Sequence, residues 1–408
     1  MNSVELSSSA NMQLSTLMQC CLTAANDVGF PSPSISFESV GSDNLLTSTV
    51  YFADKTLRVI PYFQPLNTHP TDENTVSDNS VITLCYGFQN DGLSPHAISI
   101  GVAASGKNLD IYRKPKSQTT KLAYPKHISL NDPMHHYCWF VLALALEFEI
   151  EDALVIANAA TFHSCVSRET SWPHKASDFE HLTTLETQQC APFLPVNTDD
   201  LSLYPVVDSS AWIEKVLSSG VKTVQLRIKY KNSVSLESEI KQAVALGEQY
   251  GAQVFINDYW QLAIKHGAYG VHLGQEDLAS ADLMAIQQAG MRLGISTHGY
   301  HEILRAMHFK PSYIALGHIF ATTTKAMPSQ PQGITKLTLY QQLVGELLPT
   351  VAIGGIDLHN AAKIWQTGVN SLAVVRAITL ADDIQLAIDS FYQIMQSQHA
   401  NQAACISQ

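Results

Sequence analysis

Two short apolar runs each end in an acid. Phe255-Ile256 leads into Asn257-Asp258, and Gly270-Val271-His272-Leu273 leads into Gly274-Gln275-Glu276-Asp277. One acid at a strand end is ordinary turn or cap chemistry, and Asp258 as the cap of a following helix stays open on these grounds. Acids at the ends of two successive strands can instead converge on one divalent cation. Hard carboxylate oxygens suit Mg2+, which takes one or two carboxylates, keeps waters and completes its shell from substrate phosphates. Upstream, Gln225-Leu226-Arg227-Ile228-Lys229 puts an amide and two cations on one side of an extended chain. That is an anion clamp or, read alone, a solvated basic strand end. Clamp and paired acids together read as pyrophosphate with magnesium.

Other groups fit the same chemistry. Ser296, in Gly294-Ile295-Ser296-Thr297-His298, can donate to a phosphate oxygen or a leaving group, or simply form a turn. Ala321-Thr322-Thr323-Thr324-Lys325 offers three hydroxyls and an ammonium to an anionic substrate, and the Pro/Gln-rich stretch reaching Gln332-Gly333 reads as a lid that excludes water. Gly354-Gly355 lets a phosphate approach backbone N–H groups, and Val374-Val375-Arg376 follows one strand later.

These residues need elements to position them. From Leu201 onward, apolar β-branched runs alternate with helical segments. Strands are expected at Leu203–Val207, Thr223–Leu226, Gln253–Ile256, Gly270–Leu273, Arg292–Ile295, Tyr313–Leu316, Thr350–Ile353 and Ser371–Val375. Eight such strands separated by helices predict a parallel sheet, and eight is the closing number of a (β/α)8 TIM barrel. An open doubly wound sheet is the alternative, weakened because no GxGxxG follows the first strand. In a barrel, chemistry sits at the C-terminal strand ends, and phosphate sites often follow the last two strands. The first half is more polar and turn-rich, with an amphipathic helix pair expected at about 138–162. The expected organisation is an α/β domain over 1–190, a linker at 191–200, the barrel at 201–395 and a tail at 396–408.

The chain has 408 residues, 46% hydrophobic and 15% charged, with a formal charge of −12. That balance argues against nucleic-acid and membrane partners and leaves room for small phosphorylated substrates held by a local basic cluster. No apolar stretch is long enough for a membrane span, and MNSVELSSSANMQ lacks a secretory pattern. Seven cysteines without CxxC or zinc spacing read as reduced thiols of a cytoplasmic protein. The pairs His135-His136 and His298/His301 read as non-metal. A homo-oligomer is left open.

The segments VQLRIK, FINDYWQLAIKHGAYGVHLGQEDL, LGISTH, PSYIALGHIFATTTK and VAIGGI, in this order, resemble thiamine phosphate synthase over about residues 201–390. The resemblance implies a Mg2+-dependent transferase. It would join 4-amino-5-hydroxymethyl-2-methylpyrimidine diphosphate to 4-methyl-5-(2-phosphoethyl)thiazole, or its carboxylated form, and release pyrophosphate. Gln225, Arg227, Lys229, Asn257, Ser296 and Lys325 would then hold the pyrimidine diphosphate, with Arg227, Lys229, Ser296 and Lys325 acting in catalysis. Thr322, Thr323, Thr324, Gly355, Val375 and Arg376 would face the thiazole phosphate, and Asp258 and Asp277 the Mg2+. One residue departs from the family pattern: a serine typically follows the Val-Val pair, where this chain has Arg376. A thiazole tautomerase of the same barrel family and a non-catalytic precursor-binding barrel are the alternatives.

Residues 138–160, CWFVLALALEFEIEDALVIANAA, resemble the last helices of a ribokinase-like hydroxymethylpyrimidine phosphate kinase. Where that family needs a glycine-rich turn with a Cys or Asp base, this chain has Asn131-Asp132-Pro133-Met134, and Cys138 falls about a turn too late. The expectation is a degenerate, inert ribokinase-like domain, with an unrelated α/β domain as the alternative.

Overall fold

The structure is a computed structural model that describes residues 9–40, 45–51, 55–63, 81–87, 97–104, 106–113, 119–125, 133–167, 170–184, 191–229, 235–322 and 330–406. It divides into two compact units, Met1–Glu186 with Gly299–His301, and Thr187–His298 with Glu302–Gln408. No helix among the described residues is long and apolar enough to cross a membrane.

The first unit opens with α1 (Ser9–Asp27) and then eight strands: β1 (Ile35–Val40), β2 (Leu45–Tyr51), β3 (Thr56–Tyr62), β4 (Val81–Tyr86), β5 (Ala97–Ala104), β6 (Lys107–Arg113), β7 (Thr119–Pro125) and β8 (Thr183–Thr184). They lie in one sheet in sequence order. The β3–β4 and β4–β5 pairs are parallel, and the remaining pairs are antiparallel. Between β7 and β8 come α2 (Pro133–Ala145), α3 (Ile150–Ser167) and α4 (Ala176–Phe179). The helix pair expected at 138–162 is present but neither member is amphipathic, since α3 too is buried from Glu151 to Thr161. Every α2 residue from His135 to Leu144 is buried, so no solvent face exists to impose a polar stripe.

This unit also encloses a polar network. Asp110 accepts from Gly101 N at 2.9 Å and the Tyr124 hydroxyl at 3.1 Å, and Asn158 Nδ2 donates to its other oxygen at 2.5 Å. Asn158 Nδ2 lies 3.3 Å from His136 Nε2, whose Nδ1 is 2.9 Å from the Tyr86 hydroxyl. Burial pushes the Asp110 carboxyl up to about 6 and holds the His136 imidazole down at about 3.

In the second unit, strands β9 (Leu203–Val207), β10 (Thr223–Leu226), β11 (Gln253–Asn257), β12 (Gly270–Leu273), β13 (Arg292–Thr297), β14 (Tyr313–Gly317), β15 (Thr350–Ile353) and β16 (Ser371–Val374) form a closed parallel barrel, β16 pairing with β9. The open-sheet alternative is thereby excluded. The helices are α5 (Ser210–Ser218), α6 (Leu236–Tyr250), α7 (Trp260–His266), α8 (Gln275–Ser280), α9 (Leu283–Gln288), α10 (Tyr300–His308), α11 (Gly333–Val344), α12 (Ala361–Trp365), α13 (Arg376–Thr379) and α14 (Ile384–Ile406). The last runs through the stretch expected to be a tail.

The barrel interior is a packed core, not a channel. Tyr204, Val206, Phe255, Tyr313, Ala315, Val351 and Ala373 form one buried cluster with Val196 and Leu201. Glycines make room for its aromatic rings. A Cβ on Gly294 would strike the Tyr313 ring, and one on Gly270 would fall 2.5 Å from Phe255. Residues 191–200, expected to be a linker, instead close the bottom of the barrel. Val196 enters the core, Asn197 N donates to Gln253 Oε1 at 2.9 Å, Gln253 Nε2 donates back to Asn197 O at 3.0 Å, and Ser312 Oγ donates to Leu194 O at 2.6 Å. The bottom is sealed, so the top is the open end.

Candidate active site

A cavity of about 930 Å³ occupies the C-terminal mouth of the barrel. Among the residues singled out in the sequence, Gln225, Arg227, Lys229, Asn257, Asp258, Asp277, Ser296, Thr322, Gly355, Val375 and Arg376 all line it. Thr323, Thr324 and Lys325 lie outside the described residues, as do residues 323–329 of the expected lid and the pair Asn131-Asp132.

The basic wall follows from strand alternation. The chain leaves β10 still extended, with Arg227 N donating to Val207 O at 2.7 Å, so Gln225, Arg227 and Lys229 face the mouth in turn. Exposure rises outward: Gln225 is buried, Arg227 half-buried and Lys229 exposed. Tyr259, whose hydroxyl donates to Ile228 O at 3.1 Å, ties this strand end to the next.

The acidic wall comes from β11 and β12. Asp258 holds φ +66°, a left-handed conformation that Asp tolerates better than most side chains. The chain turns sharply there, with Asp258 N donating to His272 O at 3.0 Å. The N-cap of α7 is Tyr259, so the reading of Asp258 as a helix cap does not apply. Asp277 sits in the first turn of α8, and Gln275 pins that turn by donating to Ser296 O at 2.6 Å while accepting from Arg305 Nη1 at 2.9 Å. Both carboxylates, after burial, raise the pKa of the Tyr259 phenol. Both carboxylates line the one cavity at the barrel mouth, from neighbouring strand ends. Among the described residues no group of three or more His, Cys, Asp or Glu gathers as a metal site. A magnesium site completed by substrate phosphates needs no such group, so the two carboxylates fit that ion.

The opposite side is built from backbone. Gly354 and Gly355 have φ +104° and +66°, and a Cβ on Gly355 would lie 2.7 Å from Ala321 O. Only glycine fits, because the backbone of residues 318–321 fills the space a side chain would take. Asn360 Nδ2 fixes this turn by donating to Gly355 O at 2.8 Å. Arg376 opens α13 and is exposed on the rim. Gln332, buried, donates to Gly317 O at 2.7 Å and His298 O at 3.0 Å, anchoring the chain where it re-enters after residue 329.

Several lining residues were not singled out in the sequence: Asp208, Trp212, His272 and His318. His298, already read as non-metal, has Nδ1 2.8 Å from Glu302 Oε2, and its backbone N donates to the same oxygen at 2.9 Å. Burial, then the neighbouring His298, lower the pKa of His318. His272 was legible in principle, since it is the one polar side chain inside an apolar four-residue strand.

Comparison with known proteins agrees with this half of the chain. Residues 203–378 match the family described as "Thiamine monophosphate synthase". A thiamine-phosphate synthase of Yersinia pestis (strain Pestoides F) is 58% identical over 196 residues, covering 48% of this chain and 91% of that protein. One from Pectobacterium atrosepticum is 54% identical over 209 residues, covering 51% and 98%. Among solved structures, a thiamine phosphate pyrophosphorylase from Pyrococcus furiosus aligns with TM-score 0.44 and 27% identity over 49% of this chain and 98% of its own.

Proposed function

We infer what the site does from one premise: this chain belongs to the thiamine-phosphate synthase family. It is a transferase of thiamine biosynthesis whose barrel joins 4-amino-5-hydroxymethyl-2-methylpyrimidine diphosphate to 4-methyl-5-(2-phosphoethyl)thiazole, plain or carboxylated. In the reaction the methylene C–O bond breaks and its electron pair leaves with pyrophosphate. The exocyclic amine of the pyrimidine feeds electron density into the ring and spreads the positive charge left behind. The thiazole nitrogen then supplies the pair for the new C–N bond, so no side-chain nucleophile is needed.

The departing group gains charge as it leaves, and donors aimed at that charge carry the catalysis. Arg227, Lys229, Ser296 and Lys325 take that role, with Gln225 and Asn257 orienting the pyrimidine. Asp258 and Asp277 would hold Mg2+, which when bound offsets phosphate charge. Thr322, Thr323, Thr324, Gly355, Val375 and Arg376 receive the thiazole phosphate. The observation that carries the reading is the paired acidic and basic walls of one cavity. The full chain with both precursors and Mg2+ should yield thiamine phosphate and pyrophosphate in equal amounts. Binding without turnover, or thiazole isomerisation alone, would overturn it.

The first unit in this reading is a degenerate kinase-like domain without catalysis. Its α2 begins at Pro133, which lacks an N–H for phosphate, and Cys138 is fully buried with Sγ 3.8 Å from Leu14 O. ADP formation from ATP and hydroxymethylpyrimidine phosphate by the full chain would refute it.

A further inference from the structure

A line of polar groups crosses the barrel core, and its interior members take no part in the steps above. Gln225 Nε2 donates to the Tyr204 hydroxyl at 3.4 Å, which lies 2.9 Å from the Tyr313 hydroxyl. That hydroxyl is 2.8 Å from His272 Nδ1, and His272 Nε2 is 2.7 Å from Ser296 Oγ. The interior members are buried, with Tyr204 1%, Tyr313 0% and His272 5% exposed, His272 also touching the cavity floor. Both ends, Gln225 on β10 and Ser296 on β13, line the cavity.

Counting protons fixes the direction of the line. Each phenol has one proton to give, and so does a neutral imidazole. Gln225 gives an amide N–H to Tyr204, which leaves the Tyr204 proton for Tyr313 and the Tyr313 proton for His272 Nδ1. The imidazole must then carry its own proton on Nε2 and give it to Ser296 Oγ. The Ser296 proton is left to point into the cavity. Reversing any one contact alone puts two protons, or none, between two buried heavy atoms, which is costly where water cannot compensate. Only a complete reversal, with the Gln225 amide turned over, satisfies the line again.

We propose that Tyr204, Tyr313 and His272 are positioning residues that lock the polarity of the two substrate-facing ends, so that Ser296 always meets the substrate as a donor and Gln225 turns Oε1 to it as an acceptor. This rests on the reading that puts the aminopyrimidine diphosphate between these walls. An acceptor at Gln225 matches an exocyclic amine, and a donor at Ser296 matches an oxygen of the departing pyrophosphate. The reversed line would set amide N–H against amine and a lone pair against phosphate. The core thus couples recognition of the ring to stabilisation of the leaving group.

Two measurements test it. In 15N-labelled full-length protein, the ring nitrogens of His272, assigned by their loss in His272→Gln, should show the Nε2–H tautomer; an Nδ1–H tautomer overturns the proposal. In steady-state kinetics, Tyr313→Phe should lower kcat about tenfold with little change in KM for the thiazole phosphate. In a Ser296→Ala background the same substitution should cost less than about twofold, because no serine remains to be oriented. Equal losses in both backgrounds overturn the proposal, since a purely structural role is additive. Should Tyr313→Phe melt far below the parent, Tyr204→Phe repeats the cycle one link farther from Ser296. A Ser296→Ala enzyme as fast as the parent would sink the site assignment itself, and the tautomer measurement still judges the line.

Discussion

Both units bury a histidine wired to tyrosines, yet the two networks end differently. In the first unit, Asp110, His136, Asn158, Tyr86 and Tyr124 satisfy one another and are each at most 6% exposed. In the barrel, the line through Tyr204, Tyr313 and His272 surfaces at Gln225 and Ser296, which line a cavity. Similar side chains are therefore a closed structural device in one place and an open site in the other. Topology makes the difference. A closed parallel sheet delivers eight C-terminal strand ends to one rim, whereas a sheet with mixed strand directions divides its strand ends between two edges.

The strongest way to break this comparison is at the acidic wall. Asp258→Asn keeps size and shape but removes half of the paired charge, and should lower pyrophosphate release by about a hundredfold or more at saturating precursors, several kcal/mol of lost stabilisation. A loss below about threefold would mean that the rim acids are no more functional than the enclosed ones. Gly294→Ala comes next. A methyl there collides with the Tyr313 ring, so it should destabilise the barrel by about 1–3 kcal/mol and cut turnover with it. Thermal melting together with kcat checks both. Arg376→Ser is milder. Arg376 is exposed at the rim, so losing a charged donor to phosphate should raise KM for the thiazole phosphate about tenfold while kcat holds. An unchanged KM would show that the guanidinium points elsewhere.

The barrel was largely legible because buried parallel strands read as apolar runs with breaks between them, and β9, β10, β12 and β15 fall where those runs do. Whether eight strands close or stay open depends on β16 pairing back to β9, a contact no local pattern encodes. The rim acids and cations were legible as types at strand ends. Tyr204 and Tyr313 were not, because a polar group pointing into a barrel core follows the same alternation as an apolar one, and His272 showed only as a polar break in an apolar run. The first unit was harder still. Its α2 is buried on all sides over His135–Leu144 and carries no helical stripe, and the short α8 and α13 lie too near strand ends to show periodicity. Residues 191–200 carry the Pro and Asn of a connector, and only the core position of Val196 reveals them as a plug.

The enclosed network makes the smallest and most specific prediction, in its pH dependence. Burial raises Asp110 to about 6 from an ordinary value near 4, so between those values the native state keeps a proton that the unfolded chain has lost. That stability is present below about pH 4 and disappears as pH rises through 6. His136 behaves oppositely. Held at about 3, it remains neutral while the unfolded imidazole charges below about 6.5, so its contribution is lost as pH falls. Between pH 4 and 6 the two slopes cancel, and the first unit should show nearly flat stability. Asp110→Asn removes one slope, so protection of α2 and α3 amides from hydrogen exchange should rise across that window, by up to about 3 kcal/mol. Turnover in the barrel should stay unaffected, because none of the network's partners given above lines the cavity. Equal rising slopes in parent and variant would mean that Asp110 is already ionised in the fold, and the contrast between a self-satisfied network and an open one would lose its first half.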